Sequence, residues 1–182
     1  MRQLSAPAFV CFVTALPAVT AEPARWGSAV SGLRMSLEYS GGANAEVRVT
    51  VQNVDNKPLL LPLGALVGPR DYDFRFKLVL TLPDGRDRRV IYTDAPGAIS
   101  GRVDPLVVPL VPNAGYQIGI PVAKFFVLDG GEPLDRFISR RCGIRVELDV
   151  QNAPCPLYGY PNPNMIPCWR GKVVSNVVQF PR

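Results

Sequence analysis

Polar and apolar residues alternate with period two over much of this chain. In "LRMSLEY" Leu33, Met35, Leu37 and Tyr39 alternate with Arg34, Ser36 and Glu38, and in "EVRVTVQN" Val47, Val49 and Val51 alternate with Arg48, Thr50 and Gln52. Successive side chains of a strand point to opposite faces, so each segment predicts a half-buried β-strand. The "SGGAN" between them supplies a turn, and the pair predicts a hairpin or its sandwich equivalent. "YDFRFKLVLTLPDGRDRRVIY" predicts a second hairpin: Phe74, Phe76, Leu78, Leu80 and Leu82 share one face, "PDGR" reverses the chain, and Val90 and Tyr92 continue on the return strand. "GIRVELDVQ" sets Ile144, Val146, Leu148 and Val150 against Arg145, Glu147, Asp149 and Gln151 in the same way.

Other segments carry the pattern less cleanly. "NVDNKPLLLPLG" places a polar turn at Asp55 to Lys57 and then an apolar run that Pro58 and Pro62 confine to an edge or an irregular strand. "LVVPLV" and "YQIGIPV" predict short strands, and "LDGGEPLDRF" admits a helical turn. In "WRGKVVSNVVQF" Val174, Asn176, Val178 and Phe180 oppose Val173, Ser175, Val177 and Gln179; neither face is strongly polar, which predicts a strand inside a sheet. Roughly seven to nine short strands separated by turns, with no amphipathic helix of useful length, predict an all-β fold: an antiparallel two-sheet sandwich of the immunoglobulin-like, Greek-key kind.

Composition agrees with that class. The 182 residues are 47% hydrophobic and 19% charged, enough for one buried core, and 19 prolines and 16 glycines without any repeating period supply many turns. The N-terminus reads as a secretory signal peptide over residues 1–21: Arg2, an apolar run from Ala6 to Val19, then Val19 and Ala21 where a signal peptidase accepts small side chains. A single β-sandwich domain over residues 22–182 is expected to remain, exported to the periplasm or the extracellular space. Losing Arg2 lowers the formal charge from +5 to +4. No apolar run predicts a membrane-spanning helix. Arg86, Arg88 and Arg89 form one basic cluster and Arg140, Arg141 and Arg145 another; both read as solvated strand or turn positions, and without stacked aromatics they predict no specific nucleic-acid binding.

The run "VRVTVQNVDNKPLLLPLG", followed by "YDFRFKLVLTLPDGRDRRV" and by "GIRVELDV", resembles the immunoglobulin-like domains of secreted bacterial proteins. More distantly it is similar to the intracellular proteinase inhibitor family of bacilli, in which an Asn turn precedes a "DF" strand and a glycine turn. The resemblance covers roughly residues 45–150 and implies a β-sandwich fold. The signal peptide and the cysteine loop depart from the inhibitor pattern, and no inhibitory residue carries over.

The chemistry available to such a domain is narrow. There is no histidine, which removes the commonest general base and the commonest metal-ligating imidazole. No phosphate-cradling glycine loop and no CxxC pair occurs, so neither a cofactor nor a metal is expected. Carboxylates are the remaining route to catalysis. Asp71 and Asp73 flank Tyr72 and fall on one side of an extended segment, but they read first as loop-solvating acids. Asp129, Glu132 and Asp135 in "DGGEPLD" offer oxygen ligands at less than the density of a calcium loop.

The segment with most character is "CPLYGYPNPNMIPC", residues 155–168. Cys155 and Cys168 flank a proline-rich connection that can bend back on itself, so a disulfide between them is expected, with Cys142 as a small buried thiol at the start of a strand. Tyr158, Tyr160 and Trp169 are the candidate binding residues: a preorganised aromatic surface would stack on a sugar or anchor a protein. The competing reading folds these rings down over the open end of the sandwich. The expectation is an exported, non-enzymatic binding or structural module whose partner is an unknown protein or glycan. Alternatives are a proteinase inhibitor presenting residues 156–167 and a carboxylate-dependent hydrolase.

Overall fold

The computed structural model describes residues 25–42, 44–67, 71–92, 103–127, 131–138, 140–152 and 166–180. The expected leader over residues 1–21 lies outside the described residues. Strands are numbered in chain order. One sheet has the order β1-β2-β8, from β1 (Leu33–Ser40), β2 (Glu46–Asn53) and β8 (Gly115–Pro121). A second has the order β4-β3-β7, from β3 (Leu59–Val67), β4 (Asp71–Phe74) and β7 (Val103–Leu110). The third contains β5 (Phe76–Thr81), β6 (Asp87–Tyr92), β9 (Phe125–Val127), β10 (Glu132–Pro133), β11 (Cys142–Asp149), β12 (Lys172–Val174) and β13 (Val178–Phe180). Its order is β10-β9-β6-β5-β11-β12, with β13 also on β11. All named pairings are antiparallel, and the fold is an all-β sandwich. The short helix α1 (Leu134–Ile138) occupies the expected helical turn.

The alternating segments form the strands their pattern predicts, except that Ser36, on the expected polar side of β1, is buried. β1 and β2 pair from Leu33↔Asn53 to Ser40↔Glu46, with Met35, Leu37, Val47 and Val49 inside. β5 and β6 pair around the "PDGR" turn, where Gly85 takes φ 79° and Leu82 N–H bonds the Arg86 carbonyl at 2.9 Å. Ile144, Val146 and Leu148 of β11 are fully or almost fully buried opposite Leu80, Leu78 and Phe76 of β5. Each such aliphatic side chain removed from water contributes about 1.5–3 kcal/mol.

Two expectations are corrected. The described residues hold thirteen strands in three hydrogen-bonded sheets, not seven to nine in two, because the chain changes sheet within runs that read as single strands. At Arg75 it leaves the second sheet, its N–H still bonded to the Leu63 carbonyl at 2.8 Å, and enters the third as β5. β3 is broken by a register shift between Pro62 and Gly64, where a missing proline donor and a glycine interrupt the ladder. The C-terminal run is likewise not one strand inside a sheet. Val174 pairs with Glu147 while Val178 pairs with Ile144, a slip of one residue that puts Val173 and Ser175, then Val178 and Phe180, on the buried side.

The slip is used. Ser175 accepts the Val146 N–H through its hydroxyl (2.9 Å) and donates that hydroxyl to the Asn176 carbonyl (2.7 Å). Asn176 then reaches β1: its Oδ1 accepts the Leu37 N–H at 2.7 Å and its Nδ2 donates to the Leu37 carbonyl at 3.0 Å. One side-chain amide thus stands in for a strand residue on the outer edge of β1 and ties the first sheet to the third. Tyr39 packs edge-on against Phe180 beside this clasp, ring centroids 4.8 Å apart.

A second polar side chain fixes the junction of the first and second sheets. Asn53 is 0% exposed. Its Nδ2 donates to the carbonyls of Lys57 (2.8 Å) and Leu110 (3.0 Å), and its Oδ1 accepts the Asp55 N–H at 2.9 Å. Its backbone N–H bonds Ala114 O at 3.0 Å, and its carbonyl accepts from Asn113 N–H at 2.9 Å. The turn from β2 to β3 and the turn from β7 to β8 are therefore sewn together at one residue. Asn53→Ala would leave three backbone groups unpaired, at roughly 1 kcal/mol each. Urea denaturation is expected to show a loss of about 3 kcal/mol, against a few tenths for the exposed neighbour Asn56→Ala; equal effects at the two positions would show that the corner does not depend on this amide.

Candidate functional site

The segment that precedes β12 is built around Trp169. Cys168 forms a parallel bridge with Leu60: Leu60 N–H bonds the Pro167 carbonyl at 2.9 Å, and Trp169 N–H bonds the Leu60 carbonyl at 2.8 Å. The indole turns inward and is 4% exposed. Its Nε1–H donates to the carbonyls of Ser31 (3.0 Å) and Val30 (3.3 Å), inside a tight turn where Ser31 and Gly32 take φ 46° and 78°. Gly171 lies against the ring so closely that a Cβ there would stand 2.9 Å from Trp169 Cζ2. Trp169 thus joins three segments: the turn before β1, the start of β3 and the approach to β12.

This corrects its expected role. Trp169 cannot stack on a sugar or a partner, because its ring is enclosed and its one donor is spent on two backbone carbonyls. It follows the competing reading, an aromatic folded down onto the sandwich. Tyr158, Tyr160 and Cys155 lie outside the described residues. Cys142 is a free thiol, 4% exposed, with its Sγ 3.2 Å from the Phe137 carbonyl, and burial raises its pKa.

The feet of the connection between β11 and β12 are tied to each other. Val150 N–H bonds the Gly171 carbonyl at 2.9 Å, and Arg170 Nη1 donates to the Gln151 carbonyl at 3.2 Å. The chain therefore departs after Gln151 and returns at Arg170 within one hydrogen bond of where it left.

The charged candidates are dispersed. Arg145 makes a two-pronged contact with Asp87, 2.7 Å and 3.1 Å, and also meets Thr81 (2.9 Å) and Glu147 (3.3 Å). Lys172 closes on the other oxygen of Glu147 at 2.7 Å. This ladder crosses the solvent face of the third sheet. The Arg145 bonds, with Thr81 next, lower the Asp87 carboxyl to about 2, and Lys172 followed by Arg145 holds Glu147 below its usual range. Arg86 is paired with Asp84 at 2.6 Å, and Arg140 lies over the Phe137 ring at 5.6 Å. Asp71 and Asp73 stand in β4 opposite Val67 and Ala65. Glu132 belongs to β10, while Asp135 in α1 shares with Glu46, Pro121 and Val122 an open cleft of about 640 Å³. Among the described residues no group of three or more His, Cys, Asp or Glu side chains is placed to hold a metal ion, and no helix is long and apolar enough to cross a membrane.

The sequence reading missed the Arg145–Asp87 pair, which links residues 58 apart; the register of β5 against β6 and β11 alone brings them together. It also missed Asn53 and Asn176, whose only sequence signal is an amide beside a strand end. No family model, curated protein or solved structure matches the chain.

Two outcomes test this account. Trp169→Phe keeps the ring in place but strands the Ser31 and Val30 carbonyls, so stability should fall by about 1–2 kcal/mol, and Trp169→Ala, which adds a cavity, should cost about 3–5 kcal/mol. Equal losses in urea titrations of the two would remove the indole N–H from the argument. The second concerns pH. Because the folded carboxyl of Asp87 lies below the unfolded value of about 3.9, its contribution is complete above that value and is lost as pH falls towards about 2. Denaturation between about pH 6 and pH 2 should show stability declining below about pH 4, with a shallower decline in Asp87→Asn; parallel pH profiles for both proteins would rule the pair out as a source.

Proposed function

We propose that this protein is an exported, non-enzymatic binding or structural module, an immunoglobulin-like sandwich that presents the 155–168 segment to a protein or glycan partner. The observation that carries this reading is the closed base of the segment. Hydrogen bonds tie Val150 to Gly171 and Gln151 to Arg170, and the buried Trp169 locks the returning chain to β3 and to the turn before β1. Feet that are fixed in advance reduce the conformational entropy lost on recognition.

The Cys155–Cys168 disulfide belongs to the same proposal. Cys168 is assigned to this bridge, and Cys142 is set aside from it as a buried free thiol. A bridge closing a loop of this length stabilises by roughly 3 kcal/mol, and it requires the oxidising compartment to which the signal peptide would deliver the chain. With Trp169 enclosed, Tyr158 and Tyr160 are the residues assigned to contact. The shifted titratable groups support a non-catalytic role as well, since the shifts of Asp87, Arg145 and Glu147 come chiefly from ion pairs among themselves and with Lys172.

The test compares the secreted wild type with Tyr158→Ala/Tyr160→Ala and with a variant whose residues 156–167 are replaced by Gly and Ser. The probes are a glycan array and a panel of serine and cysteine proteases. Loss of a wild-type glycan signal in both variants, with an unchanged denaturation midpoint in the tyrosine variant, is the expected result. Undiminished binding by the loop-replaced protein would overturn the assignment, and stoichiometric protease inhibition lost in that variant would replace it with the inhibitor reading.

A further inference from the structure

The two edges of the first sheet are finished differently. Along β1 the outer edge is occupied: Gly27 N–H bonds the Met35 carbonyl at 2.9 Å, and Asn176 fills both positions at Leu37. Along β8, the opposite edge, no strand is paired on the outer side among the described residues. The Val122 N–H bonds Ala45 O at 2.8 Å, and the Ala114 carbonyl accepts from Asn53. Backbone groups of alternate residues in an antiparallel ladder face alternate sides. Tyr116, Ile118 and Ile120 therefore face β2, and the N–H and C=O groups of Gly115, Gln117 and Gly119 face outward.

Among the described residues no strand covers these groups. Sheet edges are ordinarily protected by charge, proline or a covering segment, yet no charged residue occurs between Asp104 and Lys124, and the one proline in β8 is its last residue. The nearby side chains lie back from the edge. Gln117 folds towards its own sheet, donating from Nε2 to Thr50 Oγ1 at 3.1 Å. Glu46 lies across Gly119, in the space a side chain there would take, and is held by Arg48 at 3.0 Å.

We propose that β8 is a dimerisation edge at which a second copy of this chain adds antiparallel, with a two-fold axis through Gln117. The strand is self-complementary in that register. Gln117 meets its own copy, Gly115 meets Gly119 of the second copy, and each outward pair exchanges two backbone hydrogen bonds. On the core side Tyr116 falls opposite Ile118 of the second copy, an aromatic and β-branched pair of the kind that stabilises strand addition. Both of these side chains sit at the rim of the core, Tyr116 half-buried and Ile118 8% exposed. The glycines carry no side chains that would keep the strands apart, β8 itself bears no charge, and the Glu46 carboxylate beside Gly119 is paired with Arg48, so identical edges do not repel despite the chain's formal +5. This isologous arrangement closes on itself and continues the first sheet through six strands, from β1 of one copy to β1 of the other. A single edge buries well under the roughly 1,000 Å² of a persistent interface, so the dimer forms with rising concentration.

The proposal is independent of the 155–168 segment and is tested by sedimentation equilibrium over a concentration series. Wild-type protein should pass from monomer to dimer. Gln117→Lys and Gln117→Glu each set two like charges on the two-fold axis and should weaken dimerisation by at least about tenfold, while an equimolar mixture of the two should recover it. Because Gln117 is exposed and bonds only Thr50, both variants should keep the wild-type denaturation midpoint, and Gly119→Pro, which removes an outward N–H, supplies a second block. A wild type that stays monomeric, or charged variants that dimerise as the wild type does, would overturn the proposal. So would a monomeric wild type whose β8 amide resonances respond to an added extended Thr/Val peptide, since the edge would then belong to a different strand.

Discussion

The fold depends on how a chain of short strands turns corners without leaving buried backbone groups unpaired. A strand that changes sheet must interrupt its ladder, and each buried N–H or C=O left over costs on the order of 1–3 kcal/mol. Asn53 resolves this at the largest corner. Its side chain and backbone together satisfy five polar groups drawn from two different turns, so β2 can become β3 while β7 becomes β8 at the same place. A serine or aspartate could not substitute: the first is too short to bridge Lys57 and Leu110, and the second would aim a carboxylate at two carbonyls. Asn113, the partner residue at the corner, takes φ 64°, a left-handed conformation that asparagine tolerates better than most residues.

Asn176 solves the complementary problem at a sheet edge. By inserting one residue between β12 and β13, the chain reverses which side chains face inward and frees an amide to mimic a strand at Leu37. The side-chain amide offers one donor and one acceptor at the spacing of a peptide group. The last strands therefore close the sandwich in two ways, through Phe180 against Tyr39 in the core and through Asn176 on the main chain of β1. These amide contacts hold the three sheets in one body more specifically than apolar packing alone, which tolerates slippage.

What could be read in the sequence follows from the range of each interaction. Period-two alternation is local, and wherever one face is buried it defines the strand and its inward residues; β1, β2, β5 and β11 were legible for that reason. The corners were not, because Arg75 and Asn53 look like ordinary polar positions until the partner segments are in place. The C-terminal run misled in an instructive way. Its mixed faces arose from a one-residue slip between two half-strands and not from burial on both sides. Trp169 was legible as important but not as buried, since the same amphipathic ring serves an exposed contact or an internal anchor. The carbonyls that decide between them come from Val30 and Ser31, more than a hundred residues away in the chain.

The placement of Trp169 also changes what the neighbouring segment can do. An exposed tryptophan would have made the 155–168 segment one lobe of a continuous aromatic surface. Enclosed, it acts on the segment from below, by determining where Cys168 emerges and in which direction. The bridge to Leu60 holds Pro167 to Trp169 alongside β3, so the last residues of the segment are aligned with the second sheet. The chain leaves from the end of β11, where Val150 is bonded to Gly171 in the third sheet. The base of the segment thus touches the third sheet through Val150 and Gly171 and the second through Leu60, and Asn53 and Asn176 tie the second and third sheets to the first. The amide corners, remote in sequence from the loop, are in this way part of what gives the loop a fixed base.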